Sequence, residues 1–166
     1  MDAYEEEPDK DYVESSVIGQ IGEKTITNYL LSKGLEYISS NKDNKYDIKM
    51  SKNNTIVTYE IKTDVKIAPN FDSGNIFIEY SCRGKDSGIT VTIANWFVMY
   101  LPLFNEAWFI KPNKLKELIK NNDFKISLDS GDYKSNTHGY LIPRKEFEKH
   151  FIIEKIDRVK FEPNEC

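Results

Sequence analysis

Tyr46-Asp47-Ile48-Lys49-Met50-Ser51-Lys52-Asn53-Asn54-Thr55-Ile56-Val57-Thr58-Tyr59-Glu60-Ile61-Lys62 is the stretch on which the fold turns. β-Branched and aromatic residues fill both halves, and Asn53-Asn54 between them tolerates the positive φ that a two-residue turn demands. The stretch predicts a β-hairpin. Closing it symmetrically about the two asparagines sets Lys52 against Thr55 and, counting outward, Asp47 against Glu60. Strand side chains alternate faces, so Glu60 and Lys62 share one side while Tyr59 and Ile61 turn to the other. Two carboxylates held opposite one another repel and raise a pKa unless something offsets them. A divalent cation is the obvious agent, because one or two carboxylates, waters and a substrate phosphate are the usual surroundings of Mg²⁺. Lys62, one side-chain step along, could steady or deprotonate an attacking water and stabilise charge building on a phosphate. These parts suit phosphodiester hydrolysis. A Glu-x-Lys pair alone would read as a solvated face with cross-strand charge pairing; the opposed Asp47 and the apolar Ile48, Tyr59 and Ile61 favour a site.

Outward from the hairpin, Ser16 is a plausible N-cap for a first helix with apolar residues Ile18, Ile21, Ile26, Tyr29 and Leu30, closed by Gly34. Strand patterns follow at Leu35 to Ser40, Lys45 to Ser51, Thr55 to Asp64 and Asn75 to Cys82, and read as an antiparallel meander. Ser87 to Asn95 reads as a short helix or turn, and Trp96 to Leu101 and Glu106 to Lys111 as central strands. Their aromatic residues are assigned to the core. Pro112 opens a helix through Asn122, a short helix fits Pro143 to Phe151, and Ile152 to Phe161 suits an edge strand. The order gives an α+β or α/β fold with a mixed central sheet. The expected organisation is a mobile acidic tail over residues 1–14 and one domain over 15–166.

Asp47, twelve intervening residues and then Glu60-Ile61-Lys62 resemble the PD-(D/E)XK nuclease signature on its hairpin, with Tyr46 in place of the Pro. In that family a preceding helix often supplies another acid, and Gly22-Glu23 is the matching position. Gly74 to Tyr80, Ser87-Gly88-Ile89 and Ala94 to Val98 also resemble small phage-encoded members. The resemblance covers about residues 16–111. It implies a restriction-endonuclease-like, four-stranded mixed sheet flanked by helices, Mg²⁺ or Mn²⁺ held by Asp47, Glu60 and Glu23, and Lys62 beside the water. The implied substrate is DNA.

Other candidates stand further from the motif. Glu79 lies in an apolar strand and could be a further metal ligand or an outward-facing residue. Arg83 and Lys85, in the loop Arg83-Gly84-Lys85-Asp86-Ser87-Gly88, could meet phosphates, as could Lys66; an ordinary β-turn is the alternative. Asp64 could support the site from behind. His138 and His150 have no metal-ligand spacing and no nucleophile partner.

The formal charge of -4 is misleading for a DNA-binding chain. Residues 1–14 hold seven acids and one base, leaving 20 acids against 22 bases in the body. The longest apolar run, Ala94 to Phe104, is broken by Asn95 and Pro102 and falls far short of the ~20 residues of a membrane span. With an acidic N-terminus unlike a secretory signal, a soluble, cytoplasmic protein is expected, in host cytoplasm if the source is a phage. Cys82 and Cys166 are too few for a disulfide framework or structural zinc and are expected as thiols. Endonuclease action is favoured over exonuclease because no additional domain is evident to thread an end, although a homo-oligomer could form such a channel. Two competing classes are a non-catalytic nucleic-acid-binding or structural module of the same fold, and an interaction protein whose acidic head mimics nucleic acid.

Overall fold

The computed structural model describes residues 10–41, 43, 45–64, 67, 69–128 and 136–157, with side chains from residue 17 onward. In chain order the elements are α1 (Lys10–Ser32), β1 (Glu36–Ser40), β2 (Ile48–Lys52), β3 (Thr55–Thr63), β4 (Asn75–Cys82), β5 (Lys85–Asp86), β6 (Trp96–Leu101), β7 (Glu106–Ile110), α2 (Pro112–Asn121), β8 (Lys125–Ser127), β9 (His138–Pro143), α3 (Arg144–Phe147) and β10 (Ile152–Lys155). Short 3₁₀ turns cover Gly88–Thr90, Pro102–Phe104 and Glu148–His150. Among the described residues no helix is long and apolar enough to cross a membrane.

The hairpin forms as its sequence dictates. Asn53 and Asn54 both have positive φ, 50° and 62°, and the β2–β3 register runs from Lys52 opposite Thr55 to Ile48 opposite Tyr59. A six-stranded mixed sheet carries it in the order β1-β2-β3-β6-β7-β10, where β3 and β6 are parallel and every other neighbour is antiparallel. The fold is therefore α+β with a mixed central sheet, and β10 closes one edge as expected of the segment beginning at Ile152.

Three expectations need correction. β4 does not continue the meander of β1, β2 and β3; it leaves for a second, antiparallel sheet in the order β5-β4-β9-β8. Its partner β9 lies some sixty residues downstream and carries no local signal that would announce the pairing. The central sheet consequently has six strands rather than four. Helix α1 begins at Lys10, not Ser16, so part of the expected tail is helical; residues 1–9 lie outside the described set.

Each face of the central sheet has its own core. On one face Ile26 and Leu30 of α1, spaced four apart, pack on Ile48, Met50, Tyr59, Ile61, Val98, Tyr100, Ala107 and Phe109. On the other, Phe97, Met99, Leu101, Trp108 and Ile110 meet Ile76 and Ile78 of β4, Leu115 of α2 and Ile142 of β9. Full burial of each such aliphatic or Phe side chain contributes roughly 1.5–3 kcal/mol. The aromatic residues assigned to the core are there, although Trp96 is only partly buried. Gly34, with φ of +89°, ends α1 in the left-handed conformation that a side chain disfavours. Pro112 starts α2, where its missing N–H has no helical partner to lose.

Candidate active site

Asp47 stands at the point where β2 parts from β3. Its N–H donates to the Tyr59 carbonyl (2.9 Å) and its own carbonyl accepts from the Asn41 N–H (2.8 Å). Its Oδ2 accepts the Ile61 N–H at 2.6 Å, so a side-chain carboxylate replaces a strand carbonyl in the ladder. The segment leading into it is tied down by the loop before β6. Thr92 Oγ1 and the Ile93 N–H both donate to the Lys45 carbonyl, at 3.0 and 2.9 Å. Asn95 Oδ1 accepts the Thr58 N–H at 2.8 Å while the Asn95 N–H donates to the Thr58 carbonyl at 3.0 Å, which starts the parallel β3–β6 pair in register. Thr92 and Asn95 thus brace the hairpin. Only their polarity inside an apolar neighbourhood hinted at this.

Glu60 and Lys62 pair with Phe97 and Met99 of β6, so they lie on the face covered by the second sheet. This placement buries Glu60, which is 4% exposed. It also brings β4 within reach. Lys62 Nζ lies 3.4 Å from Glu60 Oε1 and 3.4 Å from Glu79 Oε2, linking the two sheets through one ammonium. Glu60 Oε2 is buried with no hydrogen-bond partner among the described residues.

The electrostatics follow from four carboxyls around one cation. Burial, with Asp47 and Glu79 adding repulsion against the attraction of Lys62, pushes the Glu60 carboxyl up to about 7. Burial also raises Asp47, although the Ile61 N–H and Lys62 pull it back. Glu23 is raised by burial and then by Asp47, with Lys62 opposing, so α1 delivers this acid close enough to interact with both residues. Burial alone would lower the Lys62 ammonium, but Glu60, Glu79 and Asp47 together hold it above its ordinary value. With these carboxylates around it, Lys62 is held in its charged form.

No protein-family model matches the sequence, and no curated protein matches it. Among solved structures, a bacterial homing endonuclease is similar at 13% identity over 60% of this chain and 70% of that chain, with a TM-score of 0.48.

Of the residues singled out from sequence, Asp47, Glu60, Lys62, Glu79 and Glu23 converge. Glu79 reaches the cluster through Lys62. Among the described residues no three acids, histidines or cysteines already stand as a metal cage. Arg83 and Lys85 sit apart, on the exposed β4–β5 turn where Arg83 and Gly84 have φ of 55° and 73°. Arg83 lies four residues from Glu79, or ~13 Å along an extended chain. The loop forms a tight β-turn, followed by the short helical turn Gly88–Thr90. Lys66 lies outside the described residues. Asp64 is buried just past the end of β3, its N–H donating to the Tyr100 carbonyl. His138 and His150 stay out of the site, packing near Tyr80 and on Phe147.

Proposed function

We propose that this protein is a metal-dependent nuclease of the PD-(D/E)XK kind that hydrolyses DNA phosphodiester bonds, with internal cleavage as its mode. The observation that carries this reading is Glu60 Oε2, buried without a hydrogen-bond partner among the described residues, set beside Asp47 and one step from a lysine held in its charged form. A buried carboxylate oxygen without a partner is costly, and a group kept at that cost asks for a ligand. Oxygen donors of this kind suit Mg²⁺ or Mn²⁺. Asp47 and Glu60 would hold the ion with Glu23 as a third carboxylate, and the ion would supply charge neutralisation at the phosphate and acidify a water.

The chain's own residues do the rest. Lys62, held in its charged form by Glu60 and Glu79, donates to a phosphoryl oxygen and to the attacking water, so the charge that grows on phosphorus is met by a cation. As the water oxygen bonds to phosphorus it gives up a proton to bulk solvent, the bond to the leaving sugar oxygen breaks, and that oxygen departs with the electron pair and takes a proton from solvent. Glu79 keeps Lys62 turned toward the cluster. Arg83 and Lys85, and Lys66 beyond the described residues, are proposed as contacts to DNA phosphates.

The deciding experiment incubates the protein with linear, circular, branched and single-stranded DNA, and with RNA, in Mg²⁺, Mn²⁺ or chelator. Cleavage of at least one DNA form that needs metal is expected, and a cut in the circular form establishes internal cleavage. Binding without any cleavage across all substrates and both metals would instead favour a non-catalytic module.

A further inference from the structure

We infer that Gly22 is a positioning residue: having no side chain, it lets α1 close onto Thr63 of β3 and so delivers Glu23 to the acidic cluster. The inference rests on the metal-site reading of Asp47, Glu60 and Glu23. Gly22 is buried on the same stripe of α1 as Ile26 and Leu30. A Cβ placed there would stand 1.8 Å from Thr63 Oγ1, 3.1 Å from Thr63 Cβ and 3.5 Å from Thr63 Cγ2. Rotating the threonine about χ1 would move its hydroxyl but not its Cβ, which alone is closer than the ~3.5–4.0 Å optimum for two carbons. A Cβ at position 22 therefore requires the threonine to turn and helix and strand to part by a few tenths of an ångström.

The contact and the cluster share the same two points of backbone. Glu23 is the next residue of the helix and Lys62 the preceding residue of the strand, so a displacement at Gly22–Thr63 is passed directly to the acid and the cation. Thr63 Oγ1 is itself buried with no hydrogen-bond partner among the described residues, so the close approach gains it no hydrogen bond. A glycine inside a helix also weakens the helix relative to alanine. Gly19, one turn earlier, gives an internal contrast: a Cβ there would meet nothing within 4 Å. Two glycines in one helix thus differ in what they permit, and only Gly22 borders the site.

The test compares Gly19→Ala, Gly22→Ala, Glu23→Gln, Gly22→Ala with Glu23→Gln, and Gly22→Ala with Thr63→Ala. Each is melted in chelator and across a Mn²⁺ series, and assayed for cleavage of the DNA that the wild type cuts. Gly19→Ala should melt at or above wild type and keep its full Mn²⁺ response. Gly22→Ala should melt lower and need at least tenfold more Mn²⁺ for the same rise in Tm. Adding Thr63→Ala removes the 1.8 Å conflict but leaves the 3.1 Å one, so both losses should be partly recovered. If Gly22→Ala does not fold, this double variant carries the test: folding together with a regained Mn²⁺ response supports the inference, and a response no better than that of Glu23→Gln overturns it. Because Gly22 acts through Glu23, combining Gly22→Ala with Glu23→Gln should weaken the response no further than Glu23→Gln alone. Losses that multiply, or a Gly22→Ala protein with wild-type melting and metal response, would overturn it. A wild type that neither responds to Mn²⁺ nor cuts any DNA overturns the metal-site reading first, before any variant is compared.

Discussion

Replacing Glu60 by Gln should stabilise this protein while disabling it. An ordinary glutamate titrates near 4.5 and Glu60 near 7 in the folded chain, a gap that at ~1.4 kcal/mol per pH unit corresponds to about 3 kcal/mol favouring the neutral form. The folded-state value is the raised one, so the native state binds this proton more tightly than the unfolded chain does. Stability without metal therefore falls as pH rises from about 4.5 to 7 and levels off above. Asp47 and Glu23, also raised, act in the same direction. Lys62 stays charged throughout this window. Its attraction is already contained in the Glu60 value, but the glutamine amide would stand near the ammonium as donor against donor. Allowing about 1 kcal/mol for that, Glu60→Gln should be more stable at pH 8 in chelator by ~2 kcal/mol, or roughly 4–8 °C in Tm for a chain of this size. At pH 5 the native wild-type carboxyl is protonated and the advantage should shrink to a fraction of this. Mn²⁺ should raise the Tm of wild type and leave Glu60→Gln nearly unmoved. Thermal melts at pH 5 and pH 8, with chelator and with Mn²⁺, give all four numbers. A variant that is less stable than wild type by the same amount at both pH values would make Glu60 a structural partner of Lys62 and refute the reasoning.

Lys62→Ala should lower cleavage by ~10²-fold or more and destabilise the metal-free protein more at pH 8 than at pH 5, because Glu60 and Glu79 lose their shared cation; unchanged cleavage rates would remove its role. Asp47→Asn keeps an acceptor for the Ile61 N–H and sheds a charge, so in chelator it should melt no lower than wild type. Asp47→Ala abandons that N–H and should cost about 1–3 kcal/mol; equal melting of the two variants would show that the 2.6 Å bond contributes nothing, and a full Mn²⁺ response in Asp47→Asn would remove the residue from the metal site. Arg83→Ala combined with Lys85→Ala should weaken DNA binding and flatten its dependence on salt, each lost phosphate contact lowering the log–log slope by ~0.7–0.9, whereas an unaltered slope assigns the turn to structure alone.

What sequence revealed and what it hid divide by range. The hairpin register was legible because a two-residue turn with positive φ at Asn53 and Asn54 leaves no freedom to slip. Asp47 opposite Glu60 followed from counting. The burial of Glu60 did not, because alternation only places it opposite Tyr59 and Ile61, and the cover on that side comes from β4, paired to a strand that begins at His138. Glu79 was legible as a candidate metal ligand or an outward-facing residue of an apolar strand, but its link to Lys62 depends on that same long-range pairing. The early start of α1 was hidden because its first turns lack apolar periodicity. Gly22 was legible as the neighbour of Glu23, but Thr63 as the surface it presses on required both elements in place.

At the Ile61 amide the central sheet borrows a carboxylate to complete its ladder. Ordinary ladder protons are guarded by backbone carbonyls and exchange only when a strand opens. This one is guarded by an oxygen of the same carboxylate that is proposed to hold a cation. A ligand that draws Asp47 away must expose the Ile61 proton to solvent, and a ligand that stiffens Asp47 in place must shield it further. The strand thus carries a single-proton gauge of whether the carboxylate beside it is occupied, readable by isotope exchange at one amide without any substrate being cut.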